Sequence, residues 1–320
     1  MLKFISKAPL ALVDDEFDYI KLINHLNIYI DGIVGEPFSF KSTKQSYNEV
    51  TRKIVPIGDH VRTDQQLQNL FTNWVEKRLP EFVRYLGNEV KNESFQFRNQ
   101  ENFRLAIRIR VLLDQKGYSL APHKDSEDTV FAFLLQLHPK NPTTSAFLRD
   151  KQVFKVNTNG HPMEDEEDHR RFFQSFFEKI YKEVPNYQIA ENAFGGKSKF
   201  ISWNDDGTVW LTEKKSDVVF ANKYDTLPLM VNYGQLLALH NPLSDFAFSS
   251  SYTKYIQQNT AHGFFPAQFE QRPVLLMDLL ASYSKDEIQD YMRSKNDSNE
   301  YYFYFKKETS DKIMKAANFF

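Results

Sequence analysis

The sequence predicts a mainly β protein with flanking helices, an α+β chain in which helices come first and a β core follows. Three observations carry this. Apolar residues in the first hundred positions recur at helical spacing. From Phe103 onward, short apolar runs alternate with turn residues, the pattern of a sandwich or barrel. The chain has 320 residues, 41% apolar and 26% charged, long enough to bury a full core and too apolar to stay disordered.

Taken in order, Asp15 to Leu26 is a short helix candidate. Thr63, with Gln66 three residues on, reads as a capping box. Leu67, Leu70, Phe71, Trp74 and Val75 then follow at i, i+3, i+4, i+7 and i+8, one apolar helical face. Pro80 opens a further helix through Phe82, Val83, Leu86 and Val90. The texture changes at Phe103. Phe103–Leu113 and Thr129–His138 read as strands, with Gly117 breaking the chain between them. Ser145–Leu148, Phe200–Trp203, Thr208–Thr212, Val218–Ala221, Leu229–Val231, Gln235–His240 and Val274–Leu280 are further strand candidates. Residues 151–199 interrupt the pattern with an acidic run, Glu164 to Asp168, and a Phe-rich helical stretch, Arg170 to Val184. The tail holds a helical patch around Asp286–Arg293 and an aromatic run from Tyr301 to Phe305. The expected organisation is a helical support region over 1–100, a β core over 101–285 with its insertion at 151–199, and a C-terminal helix and tail over 286–320, together one compact domain.

Composition removes several functions. Lys and Arg total 40 against 42 Asp and Glu, a net charge of −2, so the basic excess of a nucleic-acid or polybasic membrane-surface binder is missing. Only 11 glycines argue against Gly-rich nucleotide loops. Gly196-Lys197-Ser198 resembles the end of a phosphate loop, but the glycine that motif needs five residues earlier is Glu191. There is no HExxH and no Gly-x-Ser-x-Gly elbow. The absence of cysteine rules out disulfides, thiolate nucleophiles, iron–sulfur clusters and Cys-containing zinc sites. The apolar stretch from Ala8 to Val13 is too short for a signal sequence and runs into acidic residues, and no window has the roughly 20 apolar residues of a membrane helix. A cytoplasmic protein is expected.

The informative cluster is His123-Lys124-Asp125. In an extended chain, i and i+2 share a face, so an imidazole and a carboxylate can hold one metal ion there. A second histidine would complete a two-His, one-carboxylate set with open positions, the arrangement of non-haem Fe(II) oxygenases. His262 and His240 both offer it. His262 stands ten residues before Arg272; ten residues after His240 comes Ser250. Arg272, Val274 and Leu276 share a face of their strand, so the guanidinium joins an apolar wall, where it needs an anion and can grip a carboxylate bidentately. Arg108, Arg110 and Lys124 lie near the motif and offer charge to an anionic substrate, though a solvent-facing arginine is the commoner case. His25 and His60 lie in the helical region, His138 ends a strand, and His161 and His169 flank the acidic run.

The pattern Tyr118-x-x-x-Pro122-His123-x-Asp125, an apolar strand, a later His262 and Arg272 ten residues on resembles the Fe(II)/2-oxoglutarate-dependent dioxygenases, in particular the prolyl-4-hydroxylase-like type. The resemblance covers roughly 103–148 and 229–281. It implies a double-stranded β-helix, a cupin-like jelly roll, with iron in its mouth. It implies that His123, Asp125 and His262 bind Fe(II), that Arg272 binds the distal carboxylate of 2-oxoglutarate, and that Tyr118 is a further cosubstrate contact. O2 is the co-reactant, succinate and CO2 are released, and a C–H bond is hydroxylated or otherwise oxidised. The expected substrate is a small polar molecule, with a peptidyl or protein side chain second. A non-enzymatic jelly-roll binding domain is the alternative from a different class.

Overall fold

The computed structural model describes residues 2–7, 10–31, 36–38, 52–91, 104–115, 120–123, 129–139, 143–148, 202–203, 209–210, 226–231, 233–240, 262–264, 271–282 and 298–316. Their strands are β1 (Lys3–Lys7), β2 (Leu10–Asp14), β3 (Glu36–Phe38), β4 (Arg52–Val55), β5 (Arg104–Gln115), β6 (Leu120–His123), β7 (Thr129–Gln136) and β8 (Thr143–Leu148). β9 (Ser202–Trp203), β10 (Val209–Trp210), β11 (Thr226–Val231), β12 (Leu236–His240), β13 (His262–Phe264), β14 (Gln271–Ser282) and β15 (Tyr301–Tyr304) come next. The helices are α1 (Tyr19–Ile30), α2 (Ile57–Thr63), α3 (Gln65–Lys77), α4 (Leu79–Lys91) and α5 (Lys307–Ala316).

A nine-stranded sheet runs in the order β1-β2-β12-β7-β14-β5-β4-β3, with β15 also on β5. β5 is long enough to share one edge: β4 pairs with Val111 to Asp114, and β15 with Ala106 to Ile109. A four-stranded sheet has the order β11-β8-β13-β6. Every pairing among the described residues is antiparallel. Eight strands alternate between these sheets. The chain passes from β5 in the large sheet to β6 in the small one, back to β7, across to β8, then β11, β12, β13 and β14 in mirrored sequence. Two nested Greek keys of this kind make a jelly roll, so the chain's own strand order establishes the double-stranded β-helix.

Side-chain alternation divides the large sheet into two faces. One face carries Ile107, Ile109, Val111, Phe131, Phe133, Leu135, Leu275, Met277 and Leu279 and forms a single core with α1, α3 and α4. Trp74 packs edge-on to Phe133 at 5.0 Å, and Phe82 to the same ring at 5.1 Å. The opposite face carries Leu112, Leu134, Leu237, Val274 and Leu280, all buried as well. A sheet covered on both sides explains why β7 is apolar at almost every position rather than alternating.

The helical region is clamped to the sheet by a buried polar network. Arg78, at the end of α3, donates from Nε and Nη2 to the two Asp14 oxygens at 2.9 and 2.7 Å. Tyr19 donates to Asp14 at 2.7 Å, and Trp74 Nε1 to the Tyr19 hydroxyl at 2.8 Å. At the other end, Gly58 N donates to Ser298 O at 2.7 Å, and a Cβ there would stand 2.4 Å from Glu300 O. Only glycine fits so close an approach.

Several expectations change. The first hundred residues are not purely helical: they supply β1, β2, β3 and β4 to the large sheet. These strands are only three to five residues long, too short to show a clear period in the sequence. The capping residue of α3 is Asp64, whose carboxylate accepts from Gln66 N and Leu67 N; Thr63 ends α2 and donates back to Asp59 O and His60 O instead. The apolar stripe Leu67, Leu70, Phe71, Trp74 and Val75 is buried as its spacing requires. Residues 151–199, Val218–Ala221 and Asp286–Arg293 lie outside the described residues.

Candidate active site

His123 ends β6 and His262 opens β13, and the two are direct Cα partners in the small sheet. Residues directly opposed in an antiparallel pair share a face, with Cβ atoms about 5 Å apart. The fold therefore joins two positions far apart in the sequence into one cross-strand pair. Asp125 and Tyr118 lie outside the described residues; Asp125 comes two positions after His123. Two imidazoles and a carboxylate are, as residue types, the donor set of a divalent iron with open coordination positions.

His240 goes elsewhere. It belongs to the large sheet, opposite Phe131, on the face that Leu236 and Ala238 give to the helical core. Its ring lies 5.6 Å from that of Phe131, and burial pushes its pKa down to about 3. It is a neutral core histidine on the helix side of the sheet. His25 and His60 are likewise structural: His25 Nε2 sits 2.6 Å from Asp64 Oδ2, and His60 stacks on Tyr29 at 4.4 Å.

Arg272 is buried on β14, on the sheet face turned away from the helices. It does not stand alone in the apolar wall. Its Cα partner is Asp114, which accepts from Arg272 Nε at 3.0 Å and Nη2 at 2.7 Å. Asp114 is also the Cα partner of Arg52 on β4 and accepts from its Nε at 2.5 Å. Burial raises the Asp114 carboxyl, but the two guanidinium groups outweigh it and hold the group below the usual carboxylate range. Three neighbouring strands thus set two cations around one anion in a single row. Asp114 takes the Nε–Nη2 edge of Arg272.

A second row lies further along the same face. Asp278 accepts from Arg108 Nε at 2.8 Å and from Arg110 Nη2 at 2.6 Å. Burial raises the Asp278 carboxyl, and Arg110 and Arg108 together hold it below its usual range. The solvent-facing reading of these arginines is thereby corrected: Arg110 is buried and Arg108 half-buried. Sequence reasoning missed Arg52, Asp114 and Asp278. The available signal was their phase, since each falls on the buried, non-helix face of a strand whose neighbours are apolar.

No protein-family model matches the chain, and no curated protein is similar to it. Among solved structures it is similar to a prolyl-4-hydroxylase from Pseudomonas putida, at 8% identity and TM-score 0.32 over 84% of this chain and 91% of that one. It is also similar to HygX from Streptomyces hygroscopicus with nickel and 2-oxoglutarate bound, at 10% and 0.35 over 85% and 83%. A viral collagen prolyl hydroxylase from Paramecium Bursaria Chlorella virus-1, a 2OG complex, stands at 7% and 0.31 over 84% and 94%. At these scores the likeness decides nothing about chemistry; the strand order and register of this chain stand on their own.

Proposed function

We propose that the chain is an Fe(II)- and 2-oxoglutarate-dependent oxygenase that oxidises an unactivated C–H bond of a small polar molecule. The observation that carries the reading is the cross-strand pairing of His123 with His262 in the small sheet of a jelly roll. In this reading His123, Asp125 and His262 hold the iron, Arg272 binds the distal carboxylate of 2-oxoglutarate, and Tyr118 contacts the cosubstrate. Together with O2, the iron and 2-oxoglutarate supply oxidative decarboxylation to succinate and CO2, coupled to oxidation of the substrate.

The chain's own residues do the positioning. The two imidazoles and the Asp125 carboxylate leave the remaining coordination positions to cosubstrate and O2. Asp114 fixes the Arg272 guanidinium in rotation, so that little side-chain freedom is lost when a carboxylate docks on it. Val274 and Leu134, buried on the same face, keep that charge contact in a water-poor setting where it is strongest.

The test is anaerobic Fe(II) titration of the purified chain, then succinate formation from 2-oxoglutarate on admitting O2. One iron per chain and iron-dependent succinate are expected. A chain that binds no iron and forms no succinate would sink the proposal and leave a non-enzymatic jelly roll.

A further inference from the structure

We propose that Arg52 is a positioning residue for the cosubstrate: acting through Asp114, it sets the orientation in which Arg272 meets 2-oxoglutarate. The inference rests on the reading of Arg272 given above. It adds a residue from the first hundred positions, outside the stretches that resemble the family. Arg52 opens β4, and its Cα partner on β5 is Asp114. Asp114 is in turn the Cα partner of Arg272 on β14. Directly opposed residues share a face, so the strand order β14-β5-β4 lays the three side chains in one row. All three are buried.

The two oxygens of Asp114 are divided between the arginines. Arg272 places both Nε and Nη2 on Oδ2, at 3.0 and 2.7 Å. Arg52 Nε takes Oδ1, at 2.5 Å. The last torsion of an aspartate is broad, so a carboxylate held at one oxygen alone can still turn about its Cβ–Cγ bond. Oδ2 would move with that turn, and the Arg272 fork would follow it. A second grip on Oδ1, from the opposite strand, stops the turn. Arg52 thereby fixes the plane of the carboxylate, and the carboxylate fixes the plane of the Arg272 guanidinium.

Orientation matters here because a guanidinium recognises a carboxylate through a rigid planar fork rather than as a point charge. A fork ordered in advance loses less freedom when its anion docks. Holding β4 in the sheet does not by itself call for a guanidinium at this place. The pairing of Arg52 to Val55 with Val111 to Asp114 already joins β4 to β5, and Ile54 and Val55 are buried. A buried ion pair, moreover, is a poor source of stability compared with apolar packing.

The test is anaerobic calorimetric titration of the Fe(II)-loaded chain with 2-oxoglutarate, for the unaltered chain, Arg52→Met, Arg52→Lys, Arg272→Lys and the double variant Arg52→Met with Arg272→Lys. Arg52→Met should bind 2-oxoglutarate about three- to tenfold more weakly, the scale of ordering one long side chain, with Fe(II) affinity unchanged. Arg52→Lys should lose less, since it keeps a donor for Oδ1. The double variant should bind as Arg272→Lys does, because no fork remains to be oriented. Unchanged 2-oxoglutarate affinity in Arg52→Met overturns the inference. So does an undiminished effect of Arg52→Met in the Arg272→Lys background, for Arg52 would then act without Arg272. Fe(II) affinity falling in step with that of 2-oxoglutarate would make Arg52 a support of the fold and overturn it too. If Arg52→Met does not fold, a crystal structure of the unaltered chain with 2-oxoglutarate decides. Arg272 holding Asp114 Oδ2 and the cosubstrate at once, with Arg52 still on Oδ1, supports the relay; Arg272 turned away from Asp114 refutes it. Failure of the underlying reading shows separately, as an unaltered chain that binds Fe(II) but no 2-oxoglutarate.

Discussion

The two histidines that competed for one ligand position, His262 favoured by its spacing to Arg272 and His240 its rival, have opposite fates. His240 ends the apolar run from Leu236 to Leu239 and β12 enters the large sheet, whereas His262 follows the polar stretch from Gln257 to Thr260 and β13 enters the small one. His240 is buried against Phe131 and stays neutral, its pKa lowered by burial to about 3. An unfolded chain would protonate this histidine near pH 6.5. Between about 6.5 and 3 the unfolded state therefore binds more protons, so the stability this group contributes is full above that window and drains as pH falls through it. His240→Gln should flatten this part of the pH–stability curve, by an amount on the order of a few kcal/mol across the window; chemical denaturation at closely spaced pH values checks it, and an unchanged slope would remove His240 as the cause. Arg272 invites a different measurement. Arg272→Ala should leave iron binding in place and weaken 2-oxoglutarate by about 2–5 kcal/mol, the cost of truncating one partner of a buried charge pair. Arg272→Lys should recover only part, since the fork is lost. Equal 2-oxoglutarate affinity in all three chains would take the cosubstrate away from Arg272.

At the scale of elements, α3 shows how capping organises a neighbourhood. Asp64 accepts from Gln66 N at 2.8 Å and Leu67 N at 3.0 Å, and the same carboxylate receives the Tyr29 hydroxyl and His25 Nε2 from α1. Burial raises this carboxyl, but the Tyr29 hydroxyl, the Leu67 amide and His25 hold it well below the ordinary carboxylate range. Asp64→Asn keeps a capping oxygen but loses the charge that Tyr29 and His25 meet, and should cost on the order of 1 kcal/mol near neutral pH. Because the folded pKa is depressed, the native advantage exists above the unfolded value of about 4 and fades below it. The gap between Asp64→Asn and the parent should therefore narrow as pH drops from 5 to 2 in urea melts. A gap constant with pH would mean that the charge on Asp64 contributes nothing. The capping box at Thr63 and Gln66 was one residue off because Asp64 and Thr63 both suit an N-cap, and only tertiary contacts with Tyr29 and His25 decide between them. The long central strands β5, β7 and β14 were legible, since a strand covered on both faces must be apolar throughout. The outer strands β1 to β4 were not, because runs of three to five residues are too short to show a period.

For the molecule as a whole, the jelly roll's job is to bring distant segments together. The family resemblance rested on His123, Asp125, His262 and Arg272, and the topology puts the two histidines in register although most of the core lies between them in the chain. The charged rows around Asp114 and Asp278 were unreadable in one dimension, because each is assembled from two or three strands that only the sheet order makes neighbours. A metal held by β6 and β13 at once would bind the folded chain and not the unfolded one, so its binding free energy adds directly to stability. At a hundredfold excess of Fe(II) over its dissociation constant the gain is about 2.7 kcal/mol, which for a chain of this size raises Tm by a few degrees. Anaerobic differential scanning calorimetry with Fe(II) should show this rise in the unaltered chain and in His240→Gln. His123→Ala, Asp125→Ala and His262→Ala should each lose it, since three ligands leave no spare. The double substitution His123→Ala with His262→Ala should lose no more of the metal-dependent rise than either single one, because the ligands act as a unit. A Tm rise retained in His262→Ala and abolished in His240→Gln would place the metal on the helix side of the large sheet and overturn the assignment of β13.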